Sequence, residues 1–338
     1  MEHITYSIAI CSHNPDLRLL HRLLYAINSL QGLHEAQSIV LVDNNSSPPL
    51  NKDGAVVSFL ASTPSARYVV EEKQGLTYAR LRAIRETDSD ILIFLDDDNE
   101  PCANYLEHIR NAFYTYPNSG AWGPGRVSVE FVDRTPEEVK RYSNVFQKRD
   151  TPFGYACTPG EWNSFCPFGT GLAVRRIVLD SYANAYEQGR LTRSDRRGKS
   201  LSSAGDIQIV WQAFNLGYSA GVLPDLTCNH MINSSKANSN YIFRLSFWTA
   251  SSYLPALSES FPQLIPMRTK KRGLLFILSF AFSKYCLTMI LNLLAPKGRL
   301  GRTMAYARWL GNEHGRLTAW QDQASLTVLR IALFLRVA

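Results

Sequence analysis

The chain has 338 residues, 45% of them hydrophobic, which is enough apolar side chain to bury a large core and excludes a disordered or fibrous protein. The formal net charge is +7, but residues 267–338 carry ten more cations than carboxylates, so the rest of the chain is net acidic. Because these cations flank apolar runs, we expect the tail to bind an anionic membrane surface, and we expect no nucleic acid partner.

The six cysteines form no Cys-x-x-Cys pair and show no spacing typical of a zinc site. We therefore expect reduced, buried thiols. The N-terminal residues lack the basic segment that opens a secretory signal, so we expect a cytoplasmic protein.

Short apolar runs alternate with helical patterns over residues 1–100. The runs typical of strands are Ser7–Cys11, Ser38–Val42, Ala66–Val70 and Ile91–Leu95. This alternation predicts an α/β fold with a doubly wound, mainly parallel sheet. The carboxyl ends of its strands meet at one edge, where open α/β sheets bind ligands.

Polar residues follow three of these strands. Asp43 follows the second strand, and Asp96, Asp97 and Asp98 follow the fourth. Three adjacent carboxylates repel one another, and Mg²⁺ or Mn²⁺ among them would relieve that repulsion. A solvated turn is the alternative, because Asp and Asn are common where strands end. The turn after the first strand has neither Gly-x-Gly-x-x-Gly nor a Walker A loop, so a bound phosphate would depend on the metal for much of its neutralisation.

The second half of the chain is less regular. Residues 142–168 are rich in loops and aromatic rings, which either fill a core or form a platform on which a ligand stacks. The segment Arg190–Ser200 holds five cations. It is interpreted either as a mobile, solvated loop or as a lid that clamps phosphate oxygens. Asp206 precedes a helix predicted over Ile207–Asn215, where an N-cap is one role open to it.

Four motifs, in order, resemble the nucleotide-binding half of the family 2 glycosyltransferases, which have the GT-A fold. They are Ser-Ile-Ala-Ile-Cys-Ser-His-Asn14, Ile-Val-Leu-Val-Asp-Asn-Asn-Ser46, Gln-Gly-Leu-Thr-Tyr-Ala-Arg80 and Leu-Ile-Phe-Leu-Asp-Asp-Asp98. The likeness extends over about residues 5–235 and includes the glycine-rich turn at Gly169 and Gly171.

The resemblance implies a nucleotide-sugar donor, with its base near the ends of the first two strands and its diphosphate near the acidic turn. The donor-binding candidates are Ser12, His13, Asp43, Gly75, Arg80, Asp96, Asp97, Gly169 and Gly171.

The resemblance also implies a metal ion and a catalytic base. Mn²⁺ or Mg²⁺ would be held by Asp96, Asp98 and His230, with Asp98 as the principal ligand. Asp206 would be the general base of an inverting hexosyl transfer to an acceptor hydroxyl, which is the alternative to its role as an N-cap. Gly205 departs from the acidic pair usual at this place. A sugar nucleotidyltransferase and a catalytically silent nucleotide-sugar-binding scaffold are the rival functions.

We predict a catalytic domain over residues 1–233, with a nucleotide-binding half (1–100) and an acceptor half (101–233), and a basic, apolar helical region over residues 234–338. The apolar run 273–295 is long enough to span a membrane, but Lys284 at its centre favours an interfacial helix. A core or oligomerisation helix, and so a homo-oligomer, is the alternative. Residues 326–337 would form a second interfacial helix. We accordingly expect a peripheral protein on the inner face of the cell membrane, acting on a glycan or lipid-linked acceptor of surface polysaccharide.

Overall fold

The first four strands are parallel and lie side by side in the order β3-β2-β1-β4. Their bounds are Tyr6–Ser12 (β1), Ser38–Asp43 (β2), Ala66–Val70 (β3) and Ile91–Asp96 (β4) in the computed structural model, which describes residues 4–193, 195–198, 200–265 and 274–320. All seven residues of β1 are buried. Alternate residues of β1 enter two different cores, Ile8 and Ile10 one and Ala9 and Cys11 the other, because successive side chains of a strand point to opposite faces. The parallel, doubly wound arrangement predicted for this half is confirmed.

Beyond β4 the sheet becomes mixed. The remaining strands are Asn99–Pro101 (β5), Ser119–Phe131 (β6), Arg149–Asp150 (β7), Gly154–Ala156 (β8), Leu172–Arg175 (β9) and Ser219–Ile232 (β10). Strand β9 runs antiparallel to both β4 and β6, and β6 is parallel to β10. Strand β10 is long and runs on to Ile232. A register shift between Leu223 and Thr227 accommodates Pro224, which has no N–H for the ladder.

Helices cover both faces of the sheet. They are Leu17–Asn28 (α1), Gly54–Ser62 (α2), Leu76–Arg85 (α3), Tyr105–Thr115 (α4), Glu137–Lys140 (α5), Arg176–Glu187 (α6), Gly205–Asn215 (α7), Ser239–Ser260 (α8), Leu274–Leu294 (α9) and Arg299–Ala319 (α10). The amphipathic spacing of α1 turns five apolar residues inward, and Asp16 caps its first turn by accepting from the Arg18 amide. All six cysteines are free.

Helix α10 packs closely against α8. A Cβ atom added to Gly311 would lie 2.2 Å from the Phe247 carbonyl oxygen, and one added to Gly315 would lie 2.6 Å from that of Ser251. The Ser251 hydroxyl is also 2.7 Å from His314 Nδ1. Helix α8 in turn contributes to the core that contains α7. Helix α10 is therefore fixed through α8 to the core that contains α7.

Helix α9 is long and apolar enough over Ile277–Leu294 to cross a membrane, by length and composition only, and just 6% of that segment is buried. One of its faces lies along α10, where Phe280 contacts Trp309 with ring centroids 5.4 Å apart. The Lys284 ammonium lies over the same two rings. The other face is exposed. The second interfacial helix predicted over residues 326–337 lies outside the described residues.

Candidate active site

The turn after β4 carries the three consecutive carboxylates. Asp96 ends β4, and Asp97 and Asp98 lie in the turn that leads to β5. Asp98 is buried, and its Oδ2 lies 2.5 Å from Lys236 Nζ and 3.4 Å from His230 Nε2. The end of β10 and the loop that follows it therefore supply nitrogen partners to the acidic turn.

Lys236 gives the acidic turn a cation of its own. Burial acts to raise the pKa of Asp98, but Lys236 and His230 outweigh it and hold that pKa well below its usual range. Burial likewise acts to lower the pKa of Lys236, and Asp98 raises it more. Both groups are thus charged at neutral pH. No sequence pattern pointed to Lys236, because it lies in a loop without a motif around it.

The ring of His230 is oriented by its other nitrogen, since Nδ1 donates to the Phe146 carbonyl at 2.8 Å. With a proton on Nε2 the ring pairs with Asp98, and without that proton the Nε2 lone pair is free to bind a metal ion beside the same carboxylate. A nitrogen lone pair beside a carboxylate suits Mn²⁺ or Mg²⁺, so Asp98 and His230 fit as ligands. Across the described residues no group of three or more His, Cys, Asp or Glu side chains converges on one point. Asp96 as a further ligand stays a prediction.

The other two carboxylates of the turn also have partners. Asp97 accepts a hydrogen bond from Ser12 Oγ at 2.6 Å, which joins the end of β1 to the acidic turn. Burial, with Asp98 adding to it, raises the pKa of Asp97 to about 6. Burial also raises the pKa of Asp96, although Arg80 opposes it. Both shifts follow from crowding anions in a partly desolvated turn.

Arg80 is buried in α3 and donates to Asp195 Oδ2 at 2.9 Å. Asp195 is held in turn by backbone contacts to the start of α3: its amide donates to Thr77 Oγ1 at 2.8 Å, and Leu76 donates to the Arg196 carbonyl at 3.1 Å. Asp195 and Arg196 are therefore joined to α3, and the interpretation as a solvated loop is wrong for Asp195. In the sequence, Asp195 is distinguished from its neighbours only as a single acidic residue among five cations.

The Arg80–Asp195 pair explains the glycine found at the start of α7. A Cβ atom at Gly205 would lie 2.6 Å from Asp195 Oδ2 and 3.1 Å from Arg80 Nη1. A side chain there would have to displace a buried ion pair. Arg196 follows Asp195 in the loop. Burial acts to lower its pKa, and nearby groups, Tyr241 first and then Asp96 and Asp98, raise it more.

Asp43 is buried at the end of β2, and three donors occupy its carboxylate. The amides of Ser46 and Leu50 donate to it at 2.8 and 2.9 Å, and the Tyr68 hydroxyl donates at 2.6 Å. Burial acts to raise its pKa, but these hydrogen bonds hold the pKa below the usual range. Asp43 thus shapes the loop after β2, while its contact with a nucleobase stays a prediction.

Asn44, which the sequence did not single out, connects the other donor-binding candidates of this region. Its carbonyl accepts from His13 Nδ1 at 2.8 Å, and its side-chain oxygen accepts from the Gly75 amide at 2.7 Å. Gly75 has φ +135°, a conformation that favours glycine, and its Cβ would lie 3.2 Å from the Tyr78 ring. The first three strand ends therefore meet in one crevice, as predicted.

Asp206 is the second residue of α7 and is not its N-cap. The helix begins at Gly205, and Ala204 at the cap position makes no side-chain cap bond. The Asp206 carboxylate accepts from the Gly169 amide at 3.0 Å and from the Ile207 amide at 2.9 Å. Its carboxylate is therefore directed at the glycine-rich turn, although the second bond also satisfies a first-turn amide of the helix.

The glycine-rich turn is tightly enclosed. A Cβ atom at Gly169 would lie 2.9 Å from Arg80 Nη2 and 3.4 Å from Asp206 Oδ2. Gly171 has φ +68°, and its carbonyl accepts from the Tyr105 hydroxyl. Glycine at both positions lets the backbone pass between Arg80 and α4, and so brings Asp206 and Arg80 to the same turn.

A cavity of 430 Å³ lies in front of Asp206. Its walls include Arg196, His230 and Lys236, together with Arg308 and Asn312 of α10. It therefore joins the predicted base, the acidic-turn partners and the C-terminal helix in one space. Sequence reasoning placed the tail outside the site and so missed the two α10 residues.

Different aromatic residues of segment 142–168 take the two roles predicted for the segment. Trp162 and Phe168 line the cavity, as an acceptor platform would. Phe153 and Tyr155 instead pack on one another and on Trp122, with ring centroids 5.3–5.9 Å apart, and fill space beside β6.

The geometry agrees with comparisons against known proteins. A family model described as Glycosyl transferase family 2 matches residues 7–182. Among solved structures, the fold is similar to that of GalNAc-T7 determined with UDP, GalNAc and Mn²⁺, with a TM-score of 0.50 and 15% identity over 75% of this chain. This chain spans about half, 48%, of that structure.

Residues 1–349 of S. aureus TarS give a TM-score of 0.46 at 12% identity, over 95% of this chain and 92% of that one. No curated protein matches the sequence.

Proposed function

This chain belongs to glycosyl transferase family 2, an enzyme family that transfers sugars, and on that premise we propose that it is an inverting hexosyltransferase. The donor is a nucleotide-diphosphate sugar, and the acceptor is a hydroxyl group of a glycan or lipid-linked glycan. The observation that carries the proposal is the Asp206 carboxylate, directed at the glycine-rich turn and exposed to the 430 Å³ cavity that the acidic-turn residues also line.

Asp206 removes the proton from the acceptor hydroxyl as that oxygen attacks the anomeric carbon. The bond between the anomeric carbon and the diphosphate oxygen breaks on the opposite side, and the nucleoside diphosphate leaves with the electron pair. Lys236, which pairs with Asp98, and Arg196, which lines the same cavity, stabilise the negative charge of the leaving group. No covalent intermediate is required, so the configuration at the anomeric carbon inverts.

Mn²⁺ or Mg²⁺ would be held by Asp98 and His230, and bound there it would supply further positive charge to the diphosphate. GalNAc-T7, of similar fold, has been solved with Mn²⁺. The fit rests on the orientation of His230, whose Nδ1 is bonded to Phe146.

The proposal includes a peripheral position on the inner face of the cell membrane. Its support is the exposed apolar face of α9, where the side chains of Phe282, Leu287, Leu293 and Leu294 are 56–78% exposed. Because α9 lies along α10, and α10 is fixed to α8, a membrane that received this face would lie beside the catalytic body. A lipid-linked acceptor suits that position.

Nucleoside diphosphate release tests the function. Purified protein is incubated with Mn²⁺ and a panel of nucleotide sugars, with and without glycan acceptors. The expected result is release from one class of donor, accelerated by acceptor, with inversion seen by NMR. Release of pyrophosphate from a nucleoside triphosphate and a sugar phosphate would instead identify a nucleotidyltransferase, and binding without turnover would identify a scaffold.

A further inference from the structure

Helix α10 places one cation, Arg308, at the cavity. The carboxylates of the acidic turn do not neutralise this cation. Arg308 and Asn312 are four residues apart, so they share a helix face, and both line the cavity with exposed side chains. The neighbouring stripe of α10 packs on α8 and includes Ala307 and Gly311. The close packing of α10 on α8 therefore sets the position of Arg308 at the cavity.

The charges around the cavity do not balance. The cations that line it are Arg196, Lys236 and Arg308, and Asp206 is its carboxylate. Lys236 is paired with Asp98, and burial acts to lower the pKa of Arg196 while nearby groups, Tyr241 first and then Asp96 and Asp98, raise it more. Arg308 forms no ion pair or side-chain hydrogen bond with any described residue.

The other cations of α10 differ from Arg308. Arg302 donates to the Asn292 side chain at 2.8 Å, and Arg316 is bonded to Glu313 at 2.8 Å. Arg299 lines a separate cavity between α9 and α10. Arg308 is thus the cation of this helix that is directed to the space in front of Asp206.

We propose that Arg308, with Asn312 beside it, binds an anionic group of the acceptor, so that the acceptor class is a sugar carrying phosphate or carboxylate. The inference rests on the proposed function, because it assigns the cavity to the acceptor. A guanidinium holds planar anionic groups and phosphate oxygens by paired hydrogen bonds, and the amide of Asn312 adds a donor on the same face. The remaining polar lining, which includes Asn144, Gln147 and Thr249, suits sugar hydroxyls.

The test measures binding at the cavity while the donor site is full. The protein is saturated with Mn²⁺ and a nucleoside diphosphate, and saturation-transfer NMR then gives Kd values for glucose 1-phosphate, glucuronate and methyl glucoside. We expect the anionic sugars to bind about tenfold or more tightly than methyl glucoside, since charged hydrogen bonds are the strong ones. The phosphate and carboxylate probes show which anion the site prefers.

Arg308→Gln should abolish the preference, Arg308→Lys should keep part of it, and Arg299→Gln, with the same charge change on the same helix, should keep all of it. Asn312→Asp places a carboxylate beside Arg308 and should weaken the preference without removing the cation. Equal binding of neutral and anionic sugars by the wild-type protein, or a preference that survives Arg308→Gln, overturns the inference. Failure to bind any nucleoside diphosphate at the first step would contradict the proposed function instead, so the two failures are distinguishable.

Discussion

Lys236 Nζ lies 2.5 Å from the Asp98 carboxylate, in the turn where the sequence predicts a divalent cation. An ammonium and a metal ion compete for the same carboxylate, so metal that binds at Asp98 has to displace Lys236 or share Asp98 with it. The protein itself offsets part of the charge of the turn, because Lys236 pairs with Asp98, and Arg80 and Arg196 oppose the rise that burial causes in the pKa of Asp96.

Replacing that ammonium should strengthen metal binding. In Lys236→Met we expect the Kd for Mn²⁺, measured by electron paramagnetic resonance without nucleotide, to fall about tenfold, a change of about 1.4 kcal/mol. Lys140→Met is the matched control, because Lys140 pairs with Glu137 on the surface. Asp98→Asn should remove the binding altogether. A Kd that is the same in wild type and Lys236→Met would show that the ammonium does not occupy the metal position.

Asp206→Asn separates a base from a structural residue. Asparagine keeps one oxygen for either the Gly169 or the Ile207 amide but cannot take a proton, so turnover should fall by a factor on the order of 10² or more in a protein that still folds, with the free energy of unfolding lowered by about 1–3 kcal/mol for the amide that loses its acceptor. Asp53→Asn is the control, because Asp53 caps α2 by accepting from Ala55 and Val56. That variant should keep its activity. An active Asp206→Asn enzyme would mean that the carboxylate only organises the start of α7.

The sheet edge could be predicted from sequence, and the cavity opposite it could not. Ser12 and Asp98 end apolar runs, so their place at the strand ends followed from strand order alone. Asp195 and Lys236 lie in loops, and their contacts with Arg80 and Asp98 join residues 115 and 138 positions apart. Arg308 reaches the cavity only because α10 packs on α8. Such contacts depend on tertiary packing, which local periodicity does not encode.

Asp43 should contribute stability in a pH-dependent way. Its pKa is lower in the folded protein than in the unfolded chain, so its contribution is present above the unfolded value near 3.9 and is lost as the pH falls through the folded value. Asp43→Asn should therefore lower the free energy of unfolding by about 1–3 kcal/mol at pH 7. The substitution replaces one carboxylate oxygen by an NH2 group, which cannot accept the hydrogen bonds that the oxygen accepts in the wild-type protein. Urea titrations should show this difference shrinking below about pH 4. Asp150→Asn, at an 86% exposed side chain, should show neither effect.

Gly311→Ala tests the contact between α8 and α10. Within an exposed helix this change normally stabilises by up to about 1 kcal/mol, but here the added Cβ would lie 2.2 Å from the Phe247 carbonyl. We expect the opposite sign, a fall in melting temperature of several degrees, consistent with about 1–3 kcal/mol for overpacking. Gly54→Ala, where a Cβ meets nothing within 4 Å, is the control and should be neutral or stabilising. A Gly311→Ala protein as stable as wild type would mean that the two helices are not fixed together.

The exposed face of α9 should bind membranes. Because Phe282, Leu287 and Leu293 are exposed and basic residues flank the helix, the protein should sediment with anionic vesicles, and salt should weaken the association by screening beyond about 8 Å at physiological ionic strength. Replacing those three residues by serine removes three of the most exposed apolar side chains of this face without touching the contact of Phe280 with Trp309, so the variant should fold, bind nucleoside diphosphate and sediment less with vesicles. Val57→Ser on α2, also at an exposed apolar residue, is the control and should sediment as wild type does. Vesicle binding that the triple substitution leaves unchanged would exclude the apolar face of α9 as the membrane contact. If salt then abolished that binding, the basic residues alone would account for it.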